Sequence, residues 1–436
     1  MRSLWTPITI GALTVLVLLF SYLGCSSAPS SSLQADPVAE ILKRYMVVDP
    51  AVTTRFFRFP EEPETPFDPS ALVEAGFDVA GLGVGTITEP VVVRDFSPYL
   101  YTSPEPGKPL ALSVFSGAAA TKRFLWEIDA VHEVVARNSD RVGFARSAGD
   151  LERLRSEGRL ALLLGVDSGA VVDDLATLRI YHRLGLRRLE LAHGFATPWA
   201  DSCSAILDDE DLGLEDFGIE VVRECNRLGI LVDVSHASDQ TFWDTIEASS
   251  KPIIASHSGA RSVVDAVRNL TDDMLRALAK NGGMIGVGAY YDPKLMEPIR
   301  ATGAWTTTMQ IHKYFLEKYT DPFQLAAILR SQTANLEARK VLGLDPPSPL
   351  LKIESRSGMM SSVSNVEGTL EHLDYIVGVI GIDHVGIGTD IDMNREDYIW
   401  IYHELVSGML ERGYTEEQIG KILGANFLRV FQANES

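Results

Sequence analysis

Cysteine is almost missing from this chain: three copies in 436 residues cannot build a disulfide framework, which excludes the small, cross-linked secreted scaffolds. Positive charge is also scarce. Lys and Arg number 39 against 59 Asp and Glu, a formal charge of −20, and a surface of that sign repels phosphate backbones, so nucleic acid is not the expected partner. Repeats and low-complexity segments do not interrupt the chain past its N-terminal stretch. What is there fits a large packed core, with 46% hydrophobic and 22% charged residues. The length is generous for one ordinary domain and within the range of a (β/α)8 barrel carrying insertions.

One apolar run stands apart. Arg2 precedes "LWTPITIGALTVLVLLFSYLG", which ends in "GCSSAPSSS". A short basic start, an apolar core and small residues before a Cys resemble a bacterial lipoprotein signal. Residues 1–24 are then the signal, Cys25 the acylated first residue and 25–37 a Ser-rich tether, with residues 38–436 forming the folded domain. Tyr22 occupies a position where such signals usually carry Leu, and an uncleaved signal anchor is the alternative. Either reading places the domain in the cell envelope, membrane-anchored, on a periplasmic or extracellular face. Of the other cysteines, Cys225 lies in "VVRECNRLG" on an expected helix. A buried free thiol is the simpler reading, and a Cys203–Cys225 bridge the other.

Beyond residue 37, apolar runs alternate with amphipathic stretches, the pattern of a parallel sheet with crossover helices. Eight strands are expected: "YMVVD" (45–49), "FDVAGLGVG" (77–85), "LALLLGVD" (160–167), "RRLELAH" (187–193), "LVDVSH" (231–236), "PIIASH" (252–257), "MIGVGAY" (284–290) and "HVGIGTD" (384–390). Helices such as "EDFGIEVVRECNRLG" end on Gly, and "TDDMLRALAKNGG" opens on a Thr cap. The fold class is therefore α/β, a single (β/α)8 TIM barrel, with a helical insertion after strand seven in residues 291–350.

In such barrels the working residues stand at the C-terminal ends of the strands, where the βα loops form the mouth. Here those ends carry Asp167 on strand three, His193 on four, His236 on five, His257 on six and Asp390 on eight. A single histidine there is most often structural. Three on consecutive strands, with an Asp on either side, point to metal ligation or acid–base work, because imidazole and carboxylate are the usual ligands of zinc and its neighbours. The remaining histidines, His132, His182, His312, His372, His384 and His403, fall on helices or at the wrong end of a strand and read as surface or packing residues.

At these positions the chain resembles the membrane dipeptidase family, the renal-dipeptidase-like metallopeptidases of the amidohydrolase superfamily. The blocks that carry the resemblance are "LAHGFATPWAD" (191–201), "NRLGILVDVSHASDQTFWD" (226–244), "PIIASHSGARSV" (252–263), "RNLTDDML" (268–275), "DHVGIGTDID" (383–392) and "GANFLRVF" (424–431). It implies a metal-dependent hydrolase that cleaves dipeptides or related small amides, often as a homodimer. It also implies two zinc ions, one of them held by an H-x-D at the end of strand one. By the resemblance, His236 and His257 are metal ligands and Asp167 stands where a bridging Glu is usual. His193 would steady the substrate oxyanion, Arg268 would bind the substrate carboxylate, and Asp390 would be the general base. A surface salt bridge is the alternative for Arg268, and its place in a matched block makes that the weaker reading.

The chain departs from this pattern where its own sequence is poorest in ligands. In "MVVDPAVTTRF" the H-x-D falls on Ala51 and Thr53. Alanine has no donor atom, and a Thr hydroxyl is a poor zinc ligand. The expectation is one zinc, on Asp167, His236 and His257, with a fourth position open for catalysis. Rescue by Asp49 or Asp78 would need shifted geometry. The alternative is a non-catalytic lipoprotein that binds a peptide or cell-wall fragment in the old pocket.

Overall fold

In a computed structural model of the chain, the described residues are 36–53, 69–74, 76–84, 91–93, 110–112, 118–193, 196–203, 211–288, 340–343, 366–392 and 398–435. The expected signal, Cys25 and nearly all of the tether and the insertion after strand seven lie outside them. No helix among the described residues is long and apolar enough to cross a membrane.

The expected strands form a parallel sheet. They are β1 (Val48–Thr53), β2 (Val79–Val84), β6 (Leu160–Val166), β7 (Arg188–Glu190), β8 (Leu231–Asp233), β9 (Ile254–Ser258), β10 (Met284–Gly288) and β11 (Val385–Gly388). Shorter pieces complete the set: β3 (Val91–Val93) pairs β4 (Leu110–Leu112) as a separate ribbon, β5 (Val142–Ala145) pairs β6, and β12 (Ile391–Asp392) pairs β1. Neighbours run β11-β10-β9-β8-β7-β6-β2-β1-β12. Since β11 and β12 are two parts of one interrupted strand, the eighth strand touches both the seventh and the first, and the sheet is a nearly closed TIM barrel. Its interior and the layer beneath the helices are lined by side chains such as Leu82, Leu162, Leu164, Val232 and Val287, all buried.

Local chemistry sets the boundaries. Strand β6, "LALLLGV", is buried at every residue, as befits a parallel strand covered on both faces. Helix α6 (Asp216–Leu228) stops at Gly229, whose φ of 77° is left-handed and costs little without a Cβ. Helix α8 (Asp272–Lys280) is capped by Thr271, whose side chain accepts from the Met274 N–H. The first strand runs later than expected, to residue 53, with a register shift between Asp49 and Val52. Pro50 lies within that shift and has no N–H for the ladder. Cys203 and Cys225 are both buried and form no disulfide, in agreement with the thiol reading.

The barrel narrows where glycines meet. A Cβ on Gly388 would lie 1.8 Å from the Ser256 carbonyl oxygen, and one on Gly286 would lie 2.1 Å from it. Backbone cannot retreat from such a clash without moving a strand. Gly388→Ala is therefore expected to destabilise the fold by about 3 kcal/mol or more, read as a lower urea midpoint; an unchanged midpoint would show that the interior has room there.

Candidate metal centre

Charge enters the barrel on its shortest strands. Residues two apart on a strand share a face, so Arg188 and Glu190 of β7 both point inward, and both are 0% exposed. Arg188 donates through Nη2 to Asp167 Oδ1 and through Nη1 to Asp233 Oδ2, each at 2.7 Å. Its Nη1 is also 3.8 Å from Glu190 Oε2. Burial opposes the guanidinium charge, but Asp167, Asp233 and Glu190 outweigh it and leave Arg188 above its ordinary pKa. Asp233 Oδ1 accepts from the Ser235 and Ser256 N–H groups at 3.0 Å each, so this acid ties β8 to β9.

Directly above lies the metal-competent group. Glu190, His193, His236 and His257 each bring a donor atom, and the four atoms lie within 4.8 Å of one another. The imidazole centroids of His193 and His236 are 4.0 Å apart, and those of His236 and His257 are 5.2 Å apart. Glu190 Oε1 pairs with His193 Nδ1 at 3.2 Å. His257 is held by its N–H on Ser235 Oγ at 3.0 Å and by its Nδ1 beside Ser256 Oγ at 2.8 Å. Two donor atoms, Glu190 Oε2 and His257 Nε2, are buried without a hydrogen-bond partner. Buried polar atoms are rarely left so, and a carboxylate oxygen beside a neutral imidazole nitrogen suits a zinc-like cation. The residues fit the metal that the resemblance implies.

Burial first, then the charge of Arg268 and the neighbouring imidazoles, hold His236 and His257 well below the usual histidine range. Both offer neutral lone pairs near pH 7. Burial, reinforced by Asp233 and Asp167, raises Glu190 well above the usual carboxylate range, so in the absence of a cation this group favours its proton.

The structure thus brings His193, His236 and His257 together, but joins them to Glu190, which the sequence reading passed over. Asp167, expected beside the imidazoles, is gripped by Arg188 and lies outside the four-residue group. The overlooked signal is in "RRLEL": charges alternating with leucines on a strand covered on both faces are costly unless paired. Arg268 is buried at the edge of the site, donating to Ser258 Oγ at 2.6 Å and to the His257 carbonyl. Asp78 sits elsewhere, accepting from the Val47 N–H at 2.8 Å and pairing with Arg155 at 3.3 Å. His132 bonds the Leu184 carbonyl, His372 accepts from the Ala260 N–H and His384 bonds the Gly283 carbonyl, all packing roles.

Asp390 occupies the break in the eighth strand. Its N–H donates to the Ala51 carbonyl at 2.9 Å. Its φ is 51° and that of His236 is 62°, and these are the only non-glycine residues with positive φ among those described. Such backbone costs ~1–3 kcal/mol and clusters at functional sites. Asp49 fixes the break from below: Oδ1 accepts from the Ala51 and Thr389 N–H groups at 3.1 and 3.2 Å, and Oδ2 from the Thr389 hydroxyl.

A parallel α/β barrel with imidazoles and carboxylates at its C-terminal rim is of the metal-dependent hydrolase type. A family model described as membrane dipeptidase, peptidase family M19, matches residues 95–436. The chain belongs to that family. An uncharacterised dipeptidase of Schizosaccharomyces pombe is 30% identical over 321 residues, covering 71% of this chain and 62% of that protein. Human dipeptidase 3 is 31% identical over 326 residues, covering 72% of this chain and 53% of its own length; the match thus spans just over half of these curated relatives. The solved probable dipeptidase PvdM from Pseudomonas aeruginosa aligns at a TM-score of 0.62 and 22% identity, covering 91% of this chain and 97% of that one. A metallopeptidase from Rhodobacter sphaeroides, solved with a phosphinate mimic of the dipeptide L-Ala-D-Ala, aligns at 0.57 and 18%, covering 89% and 99%. At such identities the solved structures speak for the fold.

The Asp49 carboxyl is pushed up to about 7 by burial, which its hydrogen bonds from Thr389 and Ala51 only partly offset. Its folded pKa exceeds its unfolded one, so its contribution is full at pH 4 and is lost as pH rises to about 7. Asp49→Asn keeps the acceptor and removes the ionisation. Relative to wild type, the variant is expected to gain stability between pH 5 and 8 by up to about 3 kcal/mol, and parallel urea curves at those two pH values would expose a wrong sign.

Proposed function

We propose that this protein is a metal-dependent hydrolase of dipeptides or related small amides that works with one metal ion, zinc in the first instance. The observation that carries the proposal is the buried Glu190–His193–His236–His257 cluster, with Glu190 Oε2 and His257 Nε2 lacking hydrogen-bond partners. Four protein ligands would close a tetrahedral site, whereas catalysis needs a vacant position. Ligation is therefore assigned to Glu190, His236 and His257. His193, whose Nδ1 is engaged with Glu190, is kept for the substrate oxygen.

When bound, zinc polarises a carbonyl and brings the pKa of a coordinated water to ~7. The chain's own groups divide the remaining work. Asp390 accepts the proton of the attacking water and returns it to the leaving amine nitrogen. Its left-handed backbone, hung from the Ala51 carbonyl at the break in the eighth strand, supports that role. His193 donates to the oxyanion as the carbonyl becomes tetrahedral. Arg268 supplies positive charge beside both ligand imidazoles, where the substrate's terminal carboxylate would sit.

A second reading has one observation in its favour: Arg188 already neutralises Asp167, so the pocket could hold a peptide or cell-wall fragment without turnover. We extend the main proposal to a lipid anchor at Cys25 and a cell-envelope location. Metabolic labelling with palmitate that survives Cys25→Ser would remove the anchor. Self-association as a dimer is part of the same proposal and is read by light scattering.

Purified protein is expected to carry one zinc per chain and to hydrolyse a member of a dipeptide panel that includes D-residues at the C-terminal position. Asp390→Asn should lower kcat by ~10²–10⁴-fold with the metal retained, whereas Glu190→Gln should lose the metal. Zinc-loaded wild type that cleaves nothing, or cleavage untouched by Asp390→Asn, would favour the binding-protein reading.

A further inference from the structure

We infer that Arg188 is a resident cation of the barrel interior, holding Asp167 and Asp233 so that the rim takes up one metal ion rather than two. This rests on the metal-dependent reading above and adds a residue which that reading does not use.

Three carboxyl groups, from Asp167, Asp233 and Glu190, converge on the same buried space, and one guanidinium is threaded among them. Arg188 meets Asp167 and Asp233 at hydrogen-bonding distance, but stands off from Glu190 by 3.8 Å. It therefore selects two of the three. Asp233 spends its second oxygen on two backbone N–H groups, which leaves it no lone pair directed at the rim. Asp167 meets Arg188 through Oδ1, while Glu190 keeps a buried oxygen without a hydrogen bond and belongs to the same donor group as His257, whose Nε2 is also an orphan.

The threading is built into the fold. A Cβ at position 165 would lie 2.7 Å from Arg188 Nε and equally close to the Leu82 carbonyl oxygen, so the side chain passes over a gap that only glycine leaves. Arginine retains its proton at any working pH. A guanidinium fixed in this way cannot be exchanged for a metal ion, and as long as it is present a carboxylate that ligates a cation must be drawn from the remaining acid.

Metal stoichiometry tests the inference without recourse to activity. Zinc or cobalt is added to the full folded domain, excess is removed, and ions per chain are counted; cobalt absorption reports the ligand field. Wild type should hold one ion. Asp167→Asn, whose amide oxygen can still accept from Arg188, should also hold one, with an unchanged cobalt spectrum. Arg188→Met preserves side-chain length, frees both Asp167 and Asp233, and should raise the count to two. Removing one partner of a buried ion pair is costly, so circular dichroism accompanies this variant, and should it fail to fold the Asp167→Asn arm decides. Loss of the ion in Asp167→Asn would overturn the inference, as would a folded Arg188→Met chain that still holds one. Two ions in wild type would overturn it too, along with the one-ion form of the hydrolase reading, while leaving hydrolysis itself standing. No ion in wild type would remove both.

Discussion

A fully buried guanidinium, bonded to Asp167 on one side and Asp233 on the other, is the constraint around which this barrel's interior is arranged. Taking such ions out of water costs several kcal/mol each, and only close geometry with every remaining polar atom engaged returns that cost. Arg188 and Asp233 come near to that condition: both Nη atoms are bonded to acids, and Asp233 turns its other oxygen onto the backbone of β8 and β9. The pairings have a mechanical consequence, since they fasten β6, β7 and β8 to one another from within. His193 and His236 stand just beyond β7 and β8, and His257 lies within β9. Their spacing is thus inherited from a charged layer below them.

A second constraint comes from closing the ring. The eighth strand must pair with β10 along one stretch and with β1 along the next, and it does so by breaking at Thr389 and Asp390. Asp49 clamps the break with three hydrogen bonds, and the Asp390 N–H reaches the Ala51 carbonyl. Strand one therefore contributes to the site through its backbone and through Asp49, even though Ala51 has no side-chain donor. The left-handed backbone at Asp390 and at His236 is tolerated because neighbouring strands and loops hold each residue from outside. For His236 that includes the Cys203 N–H on its carbonyl at 2.7 Å.

How far the sequence could be read depended on whether a feature is local. Long buried strands such as β6, and capped helices such as α6 and α8, declare themselves by periodicity and end signals. So did the residues just past the strand ends, because the direction of a parallel barrel fixes which end forms the mouth. Short pieces such as β5 and β12 carry too few residues to show a period. The partner of Asp167 was illegible for another reason: Arg188 is 21 residues away in sequence and meets it only once β6 and β7 pair. Glu190 looked like one more strand residue until its inward direction was known. Alternation within "RRLEL" could have marked both as interior charges, but not which acid each would meet.

A strand one without a ligand at Ala51 and a buried arginine belong to one electrostatic argument. An interior with three acids needs positive charge, and cations of two kinds can supply it. A metal ion is exchangeable and needs vacant ligand positions, while a guanidinium is permanent and brings its own directional donors. With Ala51 unable to ligate, the permanent kind suits the strand-three side of the barrel, and Arg188 satisfies Asp167 there. Its reach ends short of Glu190 Oε2, at 3.8 Å. The residual demand for charge is thereby moved one strand along, to the carboxylate that already touches His193. On the reading proposed above, the ligating acid is Glu190, grouped with the three imidazoles, rather than Asp167, and that choice follows from where a single guanidinium can extend.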